Sequence, residues 1–388
     1  MQTPAGPLIR RLSPRDPGEV GRVSTNLELL TDLCFVVAVS QAAGQLHHYV
    51  AGGDISHGVI GFLMAFFAIW WTWLNFTWFA SAYDNDDVLY RLLTILQIVG
   101  SLVIAAGVPA MFTGRLRLVL LGYIVMRIAL VTQWLRAARN DPERAVACRR
   151  YAVGFTIAQL CWVSTLVIPA GVIPLVFPIF VLIELAVPAW AEHAARTPWH
   201  PHHVAERYGL FYIIVLGEVI FSTLTSLQQA FRSADPRQVL IVAAAGVGIV
   251  FSLWWLYFAR SAGIHLQARS SGLHSFAWGY GHYLIFAATA AIGAGLDARI
   301  DFWRRHDIGA TASASLITIS VAVLLAMIWF VHLRFYDSSR RTTIPFAAAI
   351  ALVLIATLLP VAELIVAGVV VALLIIEIPL AGLATVED

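Results

Sequence analysis

The sequence predicts an all-α polytopic integral membrane protein, and three observations support this prediction. Of the 388 residues, 60% are hydrophobic and only 12% are charged, and the mean hydropathy is +0.79. A soluble domain contains about 25% charged residues, so this chain lacks the polar surface of a water-soluble fold. Apolar runs long enough to cross a bilayer as helices recur from Leu29 almost to the C-terminus. No alternating strand pattern separates them, which argues against a membrane β-barrel.

Hydropathy predicts about twelve transmembrane helices. The first six lie near residues 28–48, 57–80, 91–112, 116–135, 150–168 and 171–190. The next six lie near residues 207–229, 238–259, 278–296, 311–333, 343–359 and 361–382. Residues 1–26 are polar and contain prolines and arginines but no apolar core, so we expect a cytoplasmic tail and not a signal peptide.

The arginines predict how these helices are oriented. All 25 basic residues are arginine, and placing the N-terminus in the cytoplasm puts most of them in cytoplasmic segments. The positive-inside rule therefore favours cytoplasmic N- and C-termini, with a few arginines such as Arg299 in outside loops. Abundant alanine without any lysine is typical of a high-GC bacterial genome, so we expect a multi-pass protein of the bacterial cytoplasmic membrane.

The two sets of six helices resemble each other and predict an internal repeat. The segment "ELLTDLCFVVAVS" from Glu28 aligns with "ERYGLFYIIVLGE" from Glu206, which matches Ser40 with Glu218. Tryptophan pairs and glutamates recur in the same order, at Trp70–Trp71 and Trp254–Trp255, and at Glu184 and Glu377. After the tail (1–26) we therefore expect two six-helix halves, 27–196 and 197–388. Because six is even, both halves share one orientation, a layout known among transporters.

Three motifs resemble those of a known family. The segments "ELLTDLCFVVAVSQ", "WWTWLNFTWFASAYDNDDVLYR" and "ERYGLFYIIVLGE" resemble, in this order, the bacterial low temperature requirement protein A (LtrA) family. The resemblance extends from about Glu28 to the last spans. The chain departs from the family pattern at Leu30–Thr31, where a bulkier or aromatic pair is usual, and at Ala82–Tyr83, where Arg-Phe is frequent. The resemblance implies an integral membrane protein linked to growth in the cold, and it implies no defined biochemical activity.

Polar residues at the starts of the first and seventh spans form the leading candidate site. Glu28 and Asp32 are four residues apart and share a helix face. Glu206 and Arg207 open the seventh span, and His203 lies one turn before Glu206. Such carboxylates often stabilise a helix N-terminus. The repeat would also bring them together in one polar vestibule between the halves.

Three deeper residues extend this predicted substrate or ion path. Gln41 belongs to a polar stripe of the first span that faces away from Glu28 and Asp32. Glu218 lies twelve residues after Glu206, or about 18 Å along a helix, where a carboxyl group is either a neutral hydrogen-bonded acid or a proton or cation site. Arg127, within the fourth span, needs an acidic partner or an anionic ligand, and Glu218 is one candidate.

Secondary candidates lie on the later spans of each half. Prolines near two of the glutamates free backbone carbonyls, and broken helices at such points often coordinate ions. An interfacial location is the alternative for these glutamates. The secondary candidates are Glu184, Glu377, His282 and His332.

The segment "YDNDDVLYR" places Asp84, Asp86 and Asp87 in a short turn between the second and third spans. Clustered carboxylates can hold Mg²⁺ against a diphosphate, as membrane prenyl-transfer enzymes do. The matching loop of the second half is basic and lacks such a cluster. The favoured interpretation is a solvated turn in which Asp87 caps the third span, with Arg91 one turn later.

Tryptophans cluster toward the predicted cytoplasmic ends of the second and eighth spans. An interfacial aromatic belt accounts for most of them. A stacking wall for a planar or cationic substrate is the alternative. These tryptophans are Trp70, Trp71, Trp73, Trp78, Trp254 and Trp255.

These features predict a pseudo-symmetric transporter or an ion- or proton-coupled permease with a polar site between its halves. The alternatives are a membrane-embedded enzyme that acts on a lipid or isoprenoid diphosphate through Mg²⁺ at the acidic turn, and a membrane sensor or scaffold without turnover. The expected partners are the lipid bilayer and a small solute, ion or lipid substrate, and the oligomeric state is left open. No cofactor is expected outside the enzyme alternative, and nothing in the sequence points to nucleic acid.

Overall fold

The computed structural model of the protein describes residues 9–231, 237–260, 263, 266–267, 273–305, 308–334 and 339–384. Twelve long α-helices occur in these ranges. No strand occurs in these ranges. The first six helices are α1 (Asn26–Ala51), α2 (Ile55–Tyr83), α3 (Val88–Phe112), α4 (Arg117–Asn140), α5 (Ala145–Ser164) and α6 (Ile173–Glu192).

The remaining six helices begin at Pro201. They are α7 (Pro201–Ala230), α8 (Arg237–Phe258), α9 (Leu273–Arg305), α10 (Ala310–Ile328), α11 (Arg340–Ala356) and α12 (Ala362–Ala384). A π-helical turn, Trp329–Leu333, continues α10.

Each of the twelve predicted spans coincides with one of these helices, and the all-α membrane fold is confirmed. Among the described residues, ten helices are long and apolar enough to cross a membrane. The other two are α5, which contains Arg149, Arg150 and Gln159, and α11, which is only 17 residues long. The chain is therefore a multi-pass membrane protein, whereas the orientation of its termini stays a prediction.

The chain divides into two compact units whose borders lie within helices. Unit 1 extends through Gln41 in α1 and resumes over Phe67–Arg207, from within α2 to the first turns of α7. Unit 2 comprises Ala42–Phe66 and the chain from Tyr208 onward. The predicted halves, 27–196 and 197–388, are a different division, and their symmetry stays a prediction.

In unit 1, glycines bring α3 and α4 close together. A Cβ atom on Gly122 would lie only 2.6 Å from the carbonyl oxygen of Gly100 and 2.8 Å from the backbone nitrogen of Ile104. A Cβ atom on Gly100 would likewise lie 2.8 Å from the carbonyl oxygen of Gly122. Small residues at such crossings let transmembrane helices pack through their backbones, so any larger residue here must push the helices apart.

The segment before α1 is packed against unit 1. The Arg22 guanidinium donates hydrogen bonds to the carbonyl oxygens of Ser81 (2.5 Å) and Ala80 (3.0 Å), in the last turn of α2. The backbone N–H of Arg15 donates to the carbonyl of Ala82 over 2.9 Å, and Leu12 is buried. This segment therefore covers the end of α2 and fixes the point at which α1 begins.

The interfacial interpretation of the tryptophans is wrong for Trp70, Trp71 and Trp73 of α2, whereas Trp78 is half-buried. Trp70, Trp71 and Trp73 are each at most 1% exposed. An indole N–H that is buried needs a hydrogen-bond acceptor, and the acceptors of Trp71 and Trp73 are carboxylates in unit 1. Trp254 and Trp255 on α8 are 41% and 49% exposed, as a belt or a lipid-facing surface requires.

Candidate functional site

A buried cluster of charged side chains in unit 1 is the candidate site, and we call it the ion cluster. It contains two carboxylates from α1, an indole from α2, and an imidazole and a guanidinium from the first turns of α7. All five side chains are fully buried. They are Glu28, Asp32, Trp73, His203 and Arg207.

Arg207 lies at the centre of the ion cluster and bridges both carboxylates. Its Nη2 atom is 2.5 Å from Oδ1 of Asp32, and its Nε atom donates to Oδ2 of the same carboxylate over 3.2 Å. Its Nη1 atom is 2.8 Å from Oε1 of Glu28. Trp73 donates its indole N–H to Oδ1 of Asp32 over 2.7 Å. Because Arg207 lies 175 residues after Asp32, the cluster joins the first predicted half to the beginning of the second.

Glu28 also forms a capping box at the start of α1. The backbone N–H and the hydroxyl of Thr25 donate to Oε2 of Glu28 over 2.8 and 3.0 Å, and the Glu28 N–H donates to the Thr25 hydroxyl over 3.3 Å. This reciprocal pattern satisfies N–H groups that a helix start leaves free. The predicted role of Glu28 at the helix N-terminus and its predicted place in a polar cluster are therefore compatible.

His203 contacts the same carboxylate. Its Nε2 atom lies 3.3 Å from both oxygens of Glu28, and the hydrogen of a neutral imidazole must be on this nitrogen for it to donate. The other ring nitrogen, Nδ1, is buried and has no hydrogen-bond partner among the described residues. In the neutral ring, Nδ1 therefore keeps an unused lone pair that can take up a proton.

With Glu28 and Asp32 both ionised, the charges of the ion cluster balance when His203 is protonated. Glu28 and Asp32 contribute two negative charges and Arg207 one positive charge, so a neutral His203 leaves one negative charge in excess. An uncompensated buried charge is costly. Uptake of one proton at Nδ1 of His203 would balance the cluster, and its release would restore the excess charge.

Arg127 has a different partner from the one considered in the sequence analysis. It binds Glu184 of α6, with 2.5 Å between Nη2 and Oε1, and its guanidinium lies 4.4 Å from the ring centroid of Phe155. Glu184 also accepts the indole N–H groups of Trp71 (2.8 Å) and Trp162 (3.0 Å). Both charged groups are buried. The ion pair connects α4 with α6, and the two indole N–H groups connect Glu184 with α2 and α5.

Arg299 lies within α9 and not in an outside loop, since α9 extends nine residues beyond the predicted end of its span. It is fully buried in unit 2 and donates from Nε to Glu363 over 2.7 Å. Trp303 donates its indole N–H to the same carboxylate over 3.1 Å. A buried arginine bound to a glutamate that also accepts indole N–H groups thus occurs in both units.

The other predicted path residues are spread over both units. Glu206 lies in unit 1, is half-buried, and accepts a hydrogen bond from the Ser24 N–H over 3.2 Å. Gln41 is exposed on α1, about 14 Å along the helix from Asp32. Glu218 is half-buried and Glu377 is buried, both in unit 2.

The remaining secondary candidates, His282 and His332, lie together in unit 2. Both are buried, and their Nε2 atoms are 3.2 Å apart. The two residues are 50 positions apart in the chain, so their contact arises only from the packing of α9 against the end of α10.

Protein groups bind each carboxylate of the acidic turn. Asp87 caps α3, as predicted, by accepting the Tyr90 N–H over 2.8 Å, and it also pairs with Arg136. Asp86, in the left-handed region at φ 51° that aspartate tolerates, binds Arg91 over 2.6 Å. Within the described ranges, no group of three or more histidine, cysteine or acidic side chains has the arrangement of a metal site.

Two carboxylates of this turn, Asp84 and Asp87, have pKa values shifted in opposite directions. Burial, together with the nearby charge of Glu28, raises the pKa of Asp84 to about 6. Burial also acts on Asp87, but hydrogen bonds from Arg136 and from the backbone N–H groups of Tyr90 and Arg10 lower its pKa to about 2. At neutral pH both are ionised, and Asp84 is the one that titrates nearest to physiological pH.

Replacing Asp84 by asparagine is expected to change how stability depends on pH. The pKa of Asp84 in the folded protein is above its ordinary value of 3.8, so the folded state binds this proton more tightly than the unfolded state. The stabilisation is complete below about pH 4 and is lost as the pH rises through about 6, a difference of about 3 kcal/mol. Unfolding measured from about pH 4 to about 7 should show this loss in the wild type and not in Asp84→Asn.

The control for this measurement is Asp86→Asn. Asp86 is exposed, and its hydrogen bond with Arg91 lowers its pKa, so its ionisation does not cause a loss of stability as the pH rises. A loss of stability of the same size in the Asp84→Asn variant as in the wild type would show that another group causes it.

Comparison with known proteins identifies the family of the chain. The model of one family, "Bacterial low temperature requirement A protein (LtrA)", matches residues 23–377. The chain belongs to the LtrA family. Among curated proteins, this LtrA-family chain is 27% identical over 241 residues to "Uncharacterized protein RA0937" of Rhizobium meliloti (strain 1021). That match covers 60% of the chain and 57% of the relative. No solved structure matches the chain.

For this LtrA-family protein, sequence reasoning found four of the five residues of the ion cluster and missed the fifth. Trp73 was assigned to an interfacial belt, although it is an obligate donor to Asp32. A partial signal was available: Trp70 and Trp73 share a helix face, whereas Trp71 lies about 100° around the helix from Trp70, so the three tryptophans do not form one narrow lipid-facing stripe. The capping box had a signal as well, since "TNLE" at Thr25–Glu28 fits the pattern Thr-x-x-Glu.

Proposed function

We propose that this LtrA-family protein is a membrane transporter whose coupling ion is the proton, and that the ion cluster is the proton site. The observation that carries the proposal is the cluster's charge balance. Four ionisable groups are fully buried together, and with both carboxylates ionised they are neutral as a set when His203 is protonated.

The position of the cluster within its helices supports a role beyond stability. Ionisable residues inside membrane-spanning helices are rare, and they commonly mark ion pathways and proton relays. A purely structural ion pair needs one carboxylate for one guanidinium, as Arg127 has with Glu184. The ion cluster contains an additional carboxylate and an imidazole whose Nδ1 atom has no hydrogen-bond partner among the described residues.

Proton binding at His203 would change the geometry of the cluster. With His203 neutral, Arg207 is shared by two carboxylates and compensates one charge. With His203 protonated, the imidazolium compensates Glu28, and Arg207 can bind Asp32 alone in the two-pronged geometry that guanidinium and carboxylate groups prefer. α7, which contains both His203 and Arg207, is therefore the helix that responds to the proton.

Replacing His203 by glutamine is expected to abolish proton-coupled flux while the fold is kept. The glutamine amide can still donate to Glu28 but cannot take up a proton. In liposomes with an internal pH dye, the wild-type protein should move protons along an imposed pH gradient when a counter-ion or solute from a panel of small cations, anions and amino acids is present. The His203→Gln variant should be indistinguishable from empty liposomes.

The matched control is His202→Gln. His202 is exposed on the same turn of α7, so its replacement changes the same residue type without touching the ion cluster and should leave the flux unchanged. Leak equal to that of empty liposomes in the wild type across the whole panel would overturn the transport proposal. A proton flux in His203→Gln equal to that of the wild type would show that the ion cluster is not the proton site.

A further inference from the structure

Two buried side chains of unit 1 carry polar atoms that have no hydrogen-bond partner among the described residues. Arg127 of α4 is 3% exposed, and the atoms concerned are its Nε and Nη1. Gln159 of α5 is 8% exposed, and the atoms concerned are both its amide nitrogen and its amide oxygen. Each of these nitrogens carries at least one hydrogen, so the set contains several donors and one acceptor.

The packing of α4 against α5 brings these two side chains together. Trp134 stacks on Tyr151 with 4.1 Å between ring centroids, and two turns earlier in α4 the Arg127 guanidinium lies 4.4 Å from the ring centroid of Phe155. The two helices are therefore antiparallel, and Gln159 shares a face with Phe155 one turn later in α5. Helical side chains lean toward the start of their own helix, so Arg127 and Gln159 lean toward each other.

The next turn of α5 also places Gln159 beside the ion pair of Arg127 and Glu184. Trp162 donates its indole N–H to Oε1 of Glu184 over 3.0 Å, and this is the oxygen that Nη2 of Arg127 binds. Phe155 and Trp162 thus both contact the ion pair, one on each side of Gln159 along the same face. The buried amide of Gln159 therefore lies next to the pair.

The protein groups around the ion pair leave these polar atoms unpaired. The Glu184 carboxylate accepts from Nη2 of Arg127 and from the indoles of Trp71 and Trp162. The ring of Phe155 attracts the positive charge of the guanidinium, but it has no lone pair for an N–H group. Buried polar atoms nearly always have a partner in the protein or in ordered water, so a bound molecule is needed here.

Charge and hydrogen-bonding capacity together select water as this molecule. Arg127 and Glu184 compensate each other, so a bound ion would add a buried charge without compensation, which is costly. The N–H groups of Arg127 need an acceptor, whereas the amide oxygen of Gln159 needs a donor. A water molecule offers both, and a buried water typically makes about three hydrogen bonds to such groups.

A cavity at the end of the same helices gives water a route to these atoms. It has a volume of about 480 Å³, and its lining includes Leu118 in the first turn of α4 and Thr165 directly after α5. Thr165 follows Gln159 by six residues, or about 9 Å along a helix. Tyr123 and Trp162 lie between the cavity and the unpaired atoms, with 6.4 Å between their ring centroids.

We propose that Arg127 and Gln159 form a site for buried water among the helices of unit 1, and that water enters it from this cavity. The water accepts hydrogen bonds from Nε and Nη1 of Arg127 and from the Gln159 amide nitrogen, and it donates to the Gln159 oxygen. The proposal does not depend on the proposed function, because neither residue belongs to the ion cluster and bound water is detected without transport.

The test is X-ray radiolytic labelling of the protein in lipid nanodiscs, which makes hydroxyl radicals from water in place and modifies side chains that contact water. Phe155 and Phe346 are each 1% exposed, but only Phe155 lies beside the proposed water. In the wild type, mass spectrometry should therefore show that Phe155 is modified several-fold faster than Phe346. In Gln159→Leu the rate at Phe155 should fall several-fold, because leucine cannot bind water.

The control is Gln228→Leu, the same replacement at an exposed position of α7, which should keep the wild-type rate at Phe155. A wild-type rate at Phe155 no higher than that at Phe346 would overturn the proposal, and so would an unchanged rate in Gln159→Leu. If Gln159→Leu fails to fold, as judged by size-exclusion chromatography in detergent, the wild-type comparison decides. Absence of proton flux in liposomes with intact labelling at Phe155 would contradict the proposed function and leave the water site standing.

Discussion

Replacing Arg207 by glutamine is expected to lower the free energy of unfolding by about 3–5 kcal/mol. Arg207 is the guanidinium of the ion cluster, and it is paired with both carboxylates, Glu28 and Asp32. Its replacement leaves these two buried carboxylates without that positive charge. Breaking a buried ion pair by removing one partner is costly because the other charge stays buried without compensation. Chemical unfolding of the purified protein in mixed micelles measures this difference.

A second variant separates lost charge balance from lost packing. Adding Asp32→Asn to Arg207→Gln removes one uncompensated carboxylate and keeps a polar side chain for the Trp73 N–H. This double variant should recover part of the lost stability. Arg139→Gln, at an exposed position in the last turn of α4, is the control and should change stability by no more than about 0.5 kcal/mol. If Arg139→Gln lowers the free energy of unfolding as much as Arg207→Gln does, the ion cluster does not stabilise the fold more than an exposed arginine does.

Replacing Glu184 by alanine is expected to cost a similar amount, about 3–5 kcal/mol. This carboxylate accepts hydrogen bonds from Arg127, Trp71 and Trp162. Its removal leaves a buried guanidinium without a counter-charge and two buried indole N–H groups without an acceptor. The same unfolding measurement in mixed micelles applies.

The double variant Arg127→Leu/Glu184→Gln tests the cause of that loss. It removes both charges, and the glutamine oxygen can still accept an indole N–H. Replacing a buried ion pair by uncharged groups of similar volume is often close to neutral, so the double variant should be clearly more stable than Glu184→Ala. If it is equally unstable, packing and not charge compensation explains the importance of Glu184.

The helices were predictable from the sequence because lipid-facing helices have a strong and local signal. Each predicted span matched one helix, since a run of apolar residues of spanning length has few other stable conformations in a membrane. The largest difference between a predicted span and the observed helix is at the end of α9, which continues through Arg299 to Arg305. A buried arginine breaks the hydropathy signal, and its acceptor, Glu363, is 64 residues away in the chain.

The members of the ion cluster were predictable, but their pairing was not. Glu28, Asp32, His203 and Arg207 were recognised because charged residues in apolar helices are unusual. Which carboxylate binds Arg207 depends on how α1 packs against α7, and Asp32 and Arg207 are 175 positions apart in the chain. The same limitation explains why Glu218 was considered for Arg127: the sequence shows that a buried cation needs an anion without showing which helix provides it.

The acidic turn was predictable in more detail because its contacts are mostly local. Asp87 and the N–H that it accepts are three residues apart, and the bond between Asp86 and Arg91 spans five residues. Local side-chain bonds of this kind follow from the order of residues in the sequence. These same bonds, together with the ion pair between Asp87 and Arg136, occupy carboxylates that the enzyme alternative would need for Mg²⁺.

The most direct test of the proton site in the ion cluster is the charge displaced by a pH jump across membranes that contain the protein on a solid support. The wild type and His202→Gln should show a transient current as His203 takes up or releases its proton. In His203→Gln the part of the transient that comes from His203 should be lost, because the glutamine side chain cannot titrate. A transient of wild-type size in His203→Gln would contradict the account.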